Sequence, residues 1–169
     1  MKKLLVTLLM LIMSPVWGDD YLVEKTHNIG FTLGSSHGSG IHYARHHADG
    51  WGIQITGFPL WVPEERILNA GFATIYNINK GKKGRVFASF GLGYSYRRSE
   101  WNNWNSSTGR DEVQIDEDTY YLFGPGIGME RIYAKNFAVS VTVPACISLG
   151  GKEGLQILPI PNFSVGYTW

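Results

Sequence analysis

The strongest constraint on this chain is an alternation of apolar and small side chains, best developed between residues 86 and 96. One face of the implied strand carries Val86, Ala88, Phe90, Leu92, Tyr94 and Tyr96; the other carries, after a single Phe87, Ser89, Gly91, Gly93 and Ser95. Successive side chains of a strand point to opposite faces. Because the second face is so small, it suits the crowded interior of a narrow closed barrel. The pattern therefore predicts a barrel strand whose apolar side chains point outward.

The same alternation recurs along the chain and predicts eight strands. They are His27–Gly34, Ile41–His47, Trp51–Phe58, Leu68–Asn77, Val86–Tyr96, Thr119–Glu130, Phe137–Thr142 and Asn162–Trp169, with Ile75 breaking the pattern of the fourth. Charged residues make up 17% of the chain, against about 25% in an ordinary soluble domain. Eight is the smallest usual number of strands in a transmembrane barrel. The predicted fold class is all-β: an eight-stranded antiparallel up-and-down transmembrane β-barrel.

The connections between the predicted strands alternate in length. The longer ones are Ser35–Gly40, Pro59–Arg66, Arg98–Asp118 and Gly150–Gly154, and the shorter ones are Ala48–Gly50, Asn79–Gly84 and Tyr133–Asn136. Asp-Gly, Lys-Gly-Lys-Lys-Gly and Lys-Asn are typical of tight turns. Outer-membrane barrels have long outer loops and short periplasmic turns. We therefore expect the first strand to start on the periplasmic side.

The first eighteen residues are typical of a secretory signal peptide. Lys2 and Lys3 precede an apolar run over Leu4–Met13, and Val16 and Gly18 stand where a signal peptidase expects small residues. The run is too short to span a bilayer as a helix, which needs about 20 apolar residues. We expect cleavage after Gly18, so that residues 1–18 are the signal peptide and residues 19–169 form one barrel domain.

The signal peptide, the eight alternating strands and the aromatic last strand resemble small bacterial outer-membrane β-barrel proteins of the OmpA/OmpX-like group. In that group the last strand is apolar at alternate positions, ends in Phe or Trp, and is recognised by the outer-membrane barrel assembly machinery. Phe163, Val165, Tyr167 and Trp169 match this pattern. The resemblance implies an outer-membrane location in Gram-negative-type bacteria, among outer-membrane lipids and lipopolysaccharide. It implies a structural or surface-interaction role without naming an activity.

Four polar residues point into the predicted barrel by strand parity: His42, His46, Arg97 and Glu130. An unpaired buried charge is costly, so we interpret them as a polar network that fills the lumen. An eight-stranded barrel is just wide enough for side chains, which disfavours a conducting pore. His42 and His46 stand about 13 Å apart along one strand, too far to share a metal ion. We therefore expect no metal and no cofactor.

Two further features bear on partners. With 15 basic and 14 acidic residues, the chain lacks the excess positive charge of a nucleic-acid-binding protein. The third outer loop, Ser99–Gly109, combines Trp101 and Trp104 with amides and hydroxyls. Tryptophan is enriched at interaction hot spots, so this loop is a candidate site for sugars or an extracellular partner. The alternative is a polar loop with Trp101 resting among lipid headgroups.

Two other functions stay open. His37-Gly38-Ser39 is similar to the His-x-Ser of outer-membrane lipid A deacylases, which use a Ser-His-Glu arrangement. No glutamate follows closely and the pair lies in the first outer loop, so we expect no enzyme, with a deacylase-like hydrolase as the alternative. The other alternative is a soluble periplasmic lipocalin-like binder, whose apolar faces would point inward around a ligand.

Overall fold

The structure is a computed structural model that describes residues 26–34, 36–81, 83–105, 110–133, 135–151, 154–158 and 160–169; side chains 103–105, 110–112 and 158 are not described. It contains ten strands: β1 (His27–Leu33), β2 (Gly40–His46), β3 (Trp51–Val62), β4 (Glu65–Lys80), β5 (Gly84–Asn105), β6 (Arg110–Tyr133), β7 (Phe137–Pro144), β8 (Cys146–Gly150), β9 (Gln156–Leu158) and β10 (Asn162–Thr168). Within these residues, no helix has the length and apolar character needed to cross a membrane. The predicted signal peptide lies outside the described residues.

The ten strands occupy eight positions in the wall of one closed antiparallel barrel. Strands β1 to β6 pair in chain order, and β1 closes the wall by pairing with β10. The seventh position is shared by β7 and β8, which follow each other along β6 and are separated at Ala145. The eighth is shared by β9, which pairs with β8, and β10, which pairs with β7. The predicted eight-stranded antiparallel barrel is confirmed.

The two faces of the wall differ in chemistry, in the sense the alternation predicts. Large apolar side chains are exposed on the outside of successive strands, among them Phe31, Ile55, Phe72, Phe90 and Val165. Polar side chains are buried inside, among them Asn28, Thr32, Gln54, Thr56, Ser89 and Thr142. The barrel is therefore apolar outside and polar inside. A lipocalin-like barrel would have the opposite arrangement.

The two apolar exceptions to the alternation, Ile75 and Phe87, also point inward and are buried. The ring of Phe87 fits because its register partner on β6 is Gly128. A Cβ atom built on Gly128 would lie 2.5 Å from the Phe87 ring. A glycine on one strand thus provides the space that an aromatic residue on the next strand fills.

The wall strands in the middle of the chain are longer than predicted. Strands β3 and β4 are joined by the turn Pro63–Glu64, and β5 and β6 continue through most of the predicted third loop, with residues 106–109 outside the described residues. The prediction of long loops at Pro59–Arg66 and Arg98–Asp118 is therefore wrong. The exposed apolar side chains around the barrel form what we call the apolar belt, and the alternation ends where the strands extend beyond it. The backbone pairing of the strands continues past that point, because a hairpin surrounded by water tolerates polar side chains on both faces.

Candidate functional site

His42 lies at the centre of a small polar network inside the barrel. It belongs to β2, and its Nε2 donates to Oδ1 of Asn28 on β1 over 3.0 Å. Its Nδ1 lies 2.8 Å from the Thr32 hydroxyl, within hydrogen-bond distance. Both ring nitrogens therefore have partners, and the histidine is held by side chains of the adjacent strand. His46 is also buried, near the β2–β3 turn and beside Gly52. The predicted inward direction of both histidines is found in the structure.

Glu130 is buried in the lumen, and its ion-pair partner is a residue that the sequence analysis did not include in the network. Arg85 on β5 is the register partner of Glu130 on β6, and the two side chains form a buried ion pair. Arg85 stands one residue before the predicted fifth strand, at the parity that points inward. Starting the predicted fifth strand one residue earlier would have placed Arg85 among the inward-facing residues.

The prediction that Arg97 belongs to the lumen network is wrong. Its side chain is 63% exposed and pairs with Glu65 on β4, with Nη2 and Oε1 2.8 Å apart. Arg97 has the inward parity of β5, but β5 runs past the end of the closed wall, so this position opens to solvent. Parity predicts the face of a strand on which a side chain lies, whereas burial also depends on the height of the residue along the barrel.

The first connection folds into the barrel, although the sequence predicts that it faces outward. Ser36, His37 and Gly38 are all buried. Nε2 of His37 lies 3.1 Å from Oγ of Ser89 on β5, and Nδ2 of Asn162 donates to Oγ of Ser36 over 3.1 Å. We call residues 36–38 the lumen loop. It lies inside the lumen, in contact with β4, β5 and β10.

Glycines on β4 and β5 leave the space for the lumen loop. A Cβ atom built on Gly71 would lie 2.1 Å from the carbonyl oxygen of His37, and one built on Gly91 would lie 2.4 Å from that of Ser36. Both contacts are with backbone, which cannot move aside as a long side chain can. The small inward-facing residues that predict a narrow barrel thus leave room for the lumen loop.

The geometry does not assemble the His37–Ser39 pair. The Ser39 hydroxyl donates to the carbonyl oxygen of Gly34 over 2.9 Å and accepts from the Gly34 amide over 3.1 Å. The His37 ring instead contacts Ser89 deep in the barrel. A serine nucleophile needs the histidine base within hydrogen-bond reach. Among the described residues, no group of three or more histidine, cysteine, aspartate or glutamate side chains is placed to hold a metal ion.

Beyond the closed wall, β5 and β6 continue as a hairpin that we call the distal hairpin, residues 97–105 and 110–118. Ion pairs lie along its base. Nη2 of Arg98 lies 2.7 Å from Glu100 and its Nη1 lies 3.4 Å from Glu117, while Arg97 joins the hairpin to Glu65. These pairs tie the distal hairpin to β4 and across its own two strands.

Trp101 stands between two clefts of the distal hairpin. The first has a volume of about 280 Å³ and is lined by Arg97, Ser99, Trp101, Asp116 and Asp118. The second has a volume of about 370 Å³ and is lined by Pro63, Glu64, Glu100, Trp101, Asn102 and Val113. Trp101 is 46% exposed and lies on a strand rather than in a loop. The backbone of Trp104 also belongs to β5, but its side chain is outside the described set.

The last strand presents its predicted aromatic and aliphatic residues outward. Phe163, Val165, Tyr167 and Trp169 are exposed on the barrel surface. The Trp169 ring stacks on His27 at a centroid distance of 5.5 Å and lies 6.1 Å from the Tyr167 ring. This geometry leaves the alternate side chains accessible, while recognition by the assembly machinery stays a prediction.

No protein-family model matches the sequence, and no curated protein matches it. Among solved structures, the N-terminal β-barrel domain of OprF from Pseudomonas aeruginosa is similar, with a TM-score of 0.51, 15% identity, and coverage of 90% of this chain and 100% of that domain. The attachment invasion locus protein Ail of Yersinia pestis gives a TM-score of 0.37 at 13% identity, with 86% of this chain and 97% of Ail covered. Ail in complex with the heparin analogue sucrose octasulfate gives 0.36 at 14%, with the same coverage. The likeness to OprF is one of fold: this chain forms an eight-stranded antiparallel barrel, and that domain is a β-barrel as well.

Proposed function

We propose that this chain is an integral β-barrel protein of the bacterial outer membrane, with a structural or surface-interaction role and no catalytic activity. The observation that carries the proposal is the inverted distribution of side chains. Apolar residues such as Ile53, Phe72 and Leu92 are exposed around the outside, while charged and amide groups are buried inside. Soluble monomers rarely expose contiguous apolar patches beyond a few hundred Å². A closed barrel with a lipid-facing apolar belt satisfies every backbone group within hydrocarbon.

Aromatic pairs at the edges of the wall support the same orientation. Near the short turns, Trp51 and Tyr76 lie with ring centroids 5.0 Å apart. Towards the distal hairpin, Tyr94 and Tyr121 lie 5.5 Å apart. Outer-membrane barrels carry aromatic girdles at both membrane interfaces. The proposal therefore puts the short turns in the periplasm and the distal hairpin outside the cell, with lipopolysaccharide and outer-membrane lipids around the belt.

The experiment is expression of the full chain in a Gram-negative host, followed by membrane fractionation and gel electrophoresis with and without heating. We expect the protein in the outer-membrane fraction, and we expect the unheated sample to migrate differently from the heated one because a closed barrel resists detergent unfolding. Recovery of folded protein in the soluble periplasmic fraction without detergent would overturn the proposal and favour the lipocalin-like alternative.

The absence of catalysis is proposed from the geometry around Ser39, whose hydroxyl bonds to Gly34 and not to His37. Mass spectrometry of lipid A from cells with and without the gene tests this point. We expect identical acylation. Loss of an acyl chain that depends on Ser39 would replace the proposal with the deacylase-like alternative.

A further inference from the structure

The surface around Trp101 has chemistry that neither the barrel nor the membrane requires. The tryptophan projects from the distal hairpin, beyond the apolar belt, and a cleft opens on each side of it. We propose that this surface binds arginine- or lysine-rich segments of an extracellular polypeptide. The proposal rests on the proposed function, since it needs the distal hairpin to lie outside the cell.

The charge around Trp101 sets the chemistry of the partner. The described part of the distal hairpin, with the adjoining β3–β4 turn and its flanks, carries six carboxylates and three guanidinium groups, which leaves a formal charge of −3: Glu64, Glu65, Glu100, Asp116, Glu117 and Asp118 against Arg66, Arg97 and Arg98. Two of the arginines are held in ion pairs by Glu65, Glu100 and Glu117. The sum counts the paired groups as well, and its net negative charge gives a field at Trp101 that attracts cations.

The placement of the carboxylates favours a cationic side chain over a neutral ligand. Asp116 and Asp118 line the first cleft, and Glu64 and Glu100 line the second, with the Trp101 ring common to both. A guanidinium or ammonium group is attracted to the face of an indole ring and forms charge-assisted hydrogen bonds with carboxylates. A neutral sugar would stack on the ring without using the negative charge of this surface. Cations from two neighbouring side chains can enter the two clefts on either side of the ring.

The test uses the full chain purified in detergent, with heat-modifiable migration confirming that each variant forms the barrel. The probe is a fluorescein-labelled peptide of four Gly-Arg-Ser repeats, followed by fluorescence anisotropy, and the control peptide has four Gly-Glu-Ser repeats. We expect binding of the arginine peptide only, and weaker binding as salt rises, because exposed charge pairs are screened. A protein that fails to form the barrel contradicts the proposed function, whereas a folded barrel that ignores the peptide contradicts this inference alone.

Matched variants locate the site. Trp101→Ala is expected to weaken binding about fivefold, the effect of losing one exposed cation–π contact. Trp61→Ala removes another exposed tryptophan, which lines neither cleft, and is expected to change nothing. Asp118→Asn is expected to weaken binding and flatten its salt dependence, whereas Asp49→Asn, at the β2–β3 turn, leaves both as they were. Equal losses for the two tryptophan variants, equal binding of the glutamate peptide, or displacement of the arginine peptide by maltoheptaose would overturn the proposal.

Discussion

Inward-facing glycines of β4 and β5 lie directly against the backbone of the lumen loop. Gly71 faces the carbonyl of His37 and Gly91 faces that of Ser36, so any side chain at these positions meets backbone. Gly57 on β3 is different, because a Cβ atom built there has its nearest neighbour, the carbonyl oxygen of Asn69, at 4.0 Å. The two kinds of glycine allow a direct comparison within one barrel.

Gly91→Ala is expected to lower the free energy of unfolding by about 1–3 kcal/mol, the usual cost of overpacking a filled interior. Gly57→Ala is the control: Gly57 lies on the outward face of β3, where an added Cβ atom has no close contact, and the change is expected to be close to neutral. Urea unfolding of both variants in lipid vesicles, followed by tryptophan fluorescence, makes the comparison. Equal stability of the two variants would show that the lumen loop does not pack against Gly91.

Two of the ion pairs made by β5, those of Arg85 and Arg97, differ in burial and should differ in energy. Glu130→Gln breaks the buried pair with Arg85 and leaves a buried guanidinium group, for which we expect a loss of about 3–5 kcal/mol in unfolding free energy. Arg97→Gln breaks an exposed pair with Glu65 and is expected to cost under about 1 kcal/mol. The same vesicle unfolding assay measures both. If Arg97→Gln were the more damaging variant, Arg97 would be the lumen residue after all.

At the scale of elements, the sequence predicts the existence and facing of strands better than their ends. Alternation around Phe90 can be recognised because one face of the strand is apolar and exposed and the other lines a small lumen, so the residue type changes at every position. From Arg97 to Asn102 both faces are polar or mixed, so the ladder continues without a sequence signal. Inward folding of His37 was not readable either, because it depends on Gly71 and Gly91, which are distant in sequence and adjacent only in the barrel.

The last strand carries the prediction about assembly. Trp169→Ser is expected to reduce the amount of folded protein in the outer membrane of cells, because the aromatic end of the strand is proposed to be read by the assembly machinery. Trp51→Ser is the control, since Trp51 is also an exposed tryptophan near the short turns but lies on β3. Immunoblots of outer-membrane fractions give the comparison, and refolding of both purified variants into vesicles separates assembly from stability. Equal cellular yields would remove the assembly role from Trp169.

For the whole molecule, the surroundings of the strands change along the barrel axis, from the closed wall to the distal hairpin. Around the barrel the outside is apolar, and polar side chains and the lumen loop lie inside, whereas the distal hairpin carries charged residues on both faces. This division explains why parity alone misplaces Arg97: the same strand face lines the lumen at Ser89 and opens to water at Arg97. If the proposed membrane location is correct, the height of each exposed apolar residue along the barrel decides what that residue contributes to stability.

A charge introduced at two heights on the outer face tests this division. Phe90 is 45% exposed in the middle of the apolar belt, and Val113 is 63% exposed on the distal hairpin. Phe90→Arg puts a cation against hydrocarbon, which costs about 2–4 kcal/mol at the bilayer midplane, whereas Val113→Arg faces water and is expected to cost almost nothing. Urea unfolding in lipid vesicles measures both. In a water-soluble barrel the two substitutions would change the unfolding free energy equally little, because an arginine on a solvated surface is not destabilising at either height.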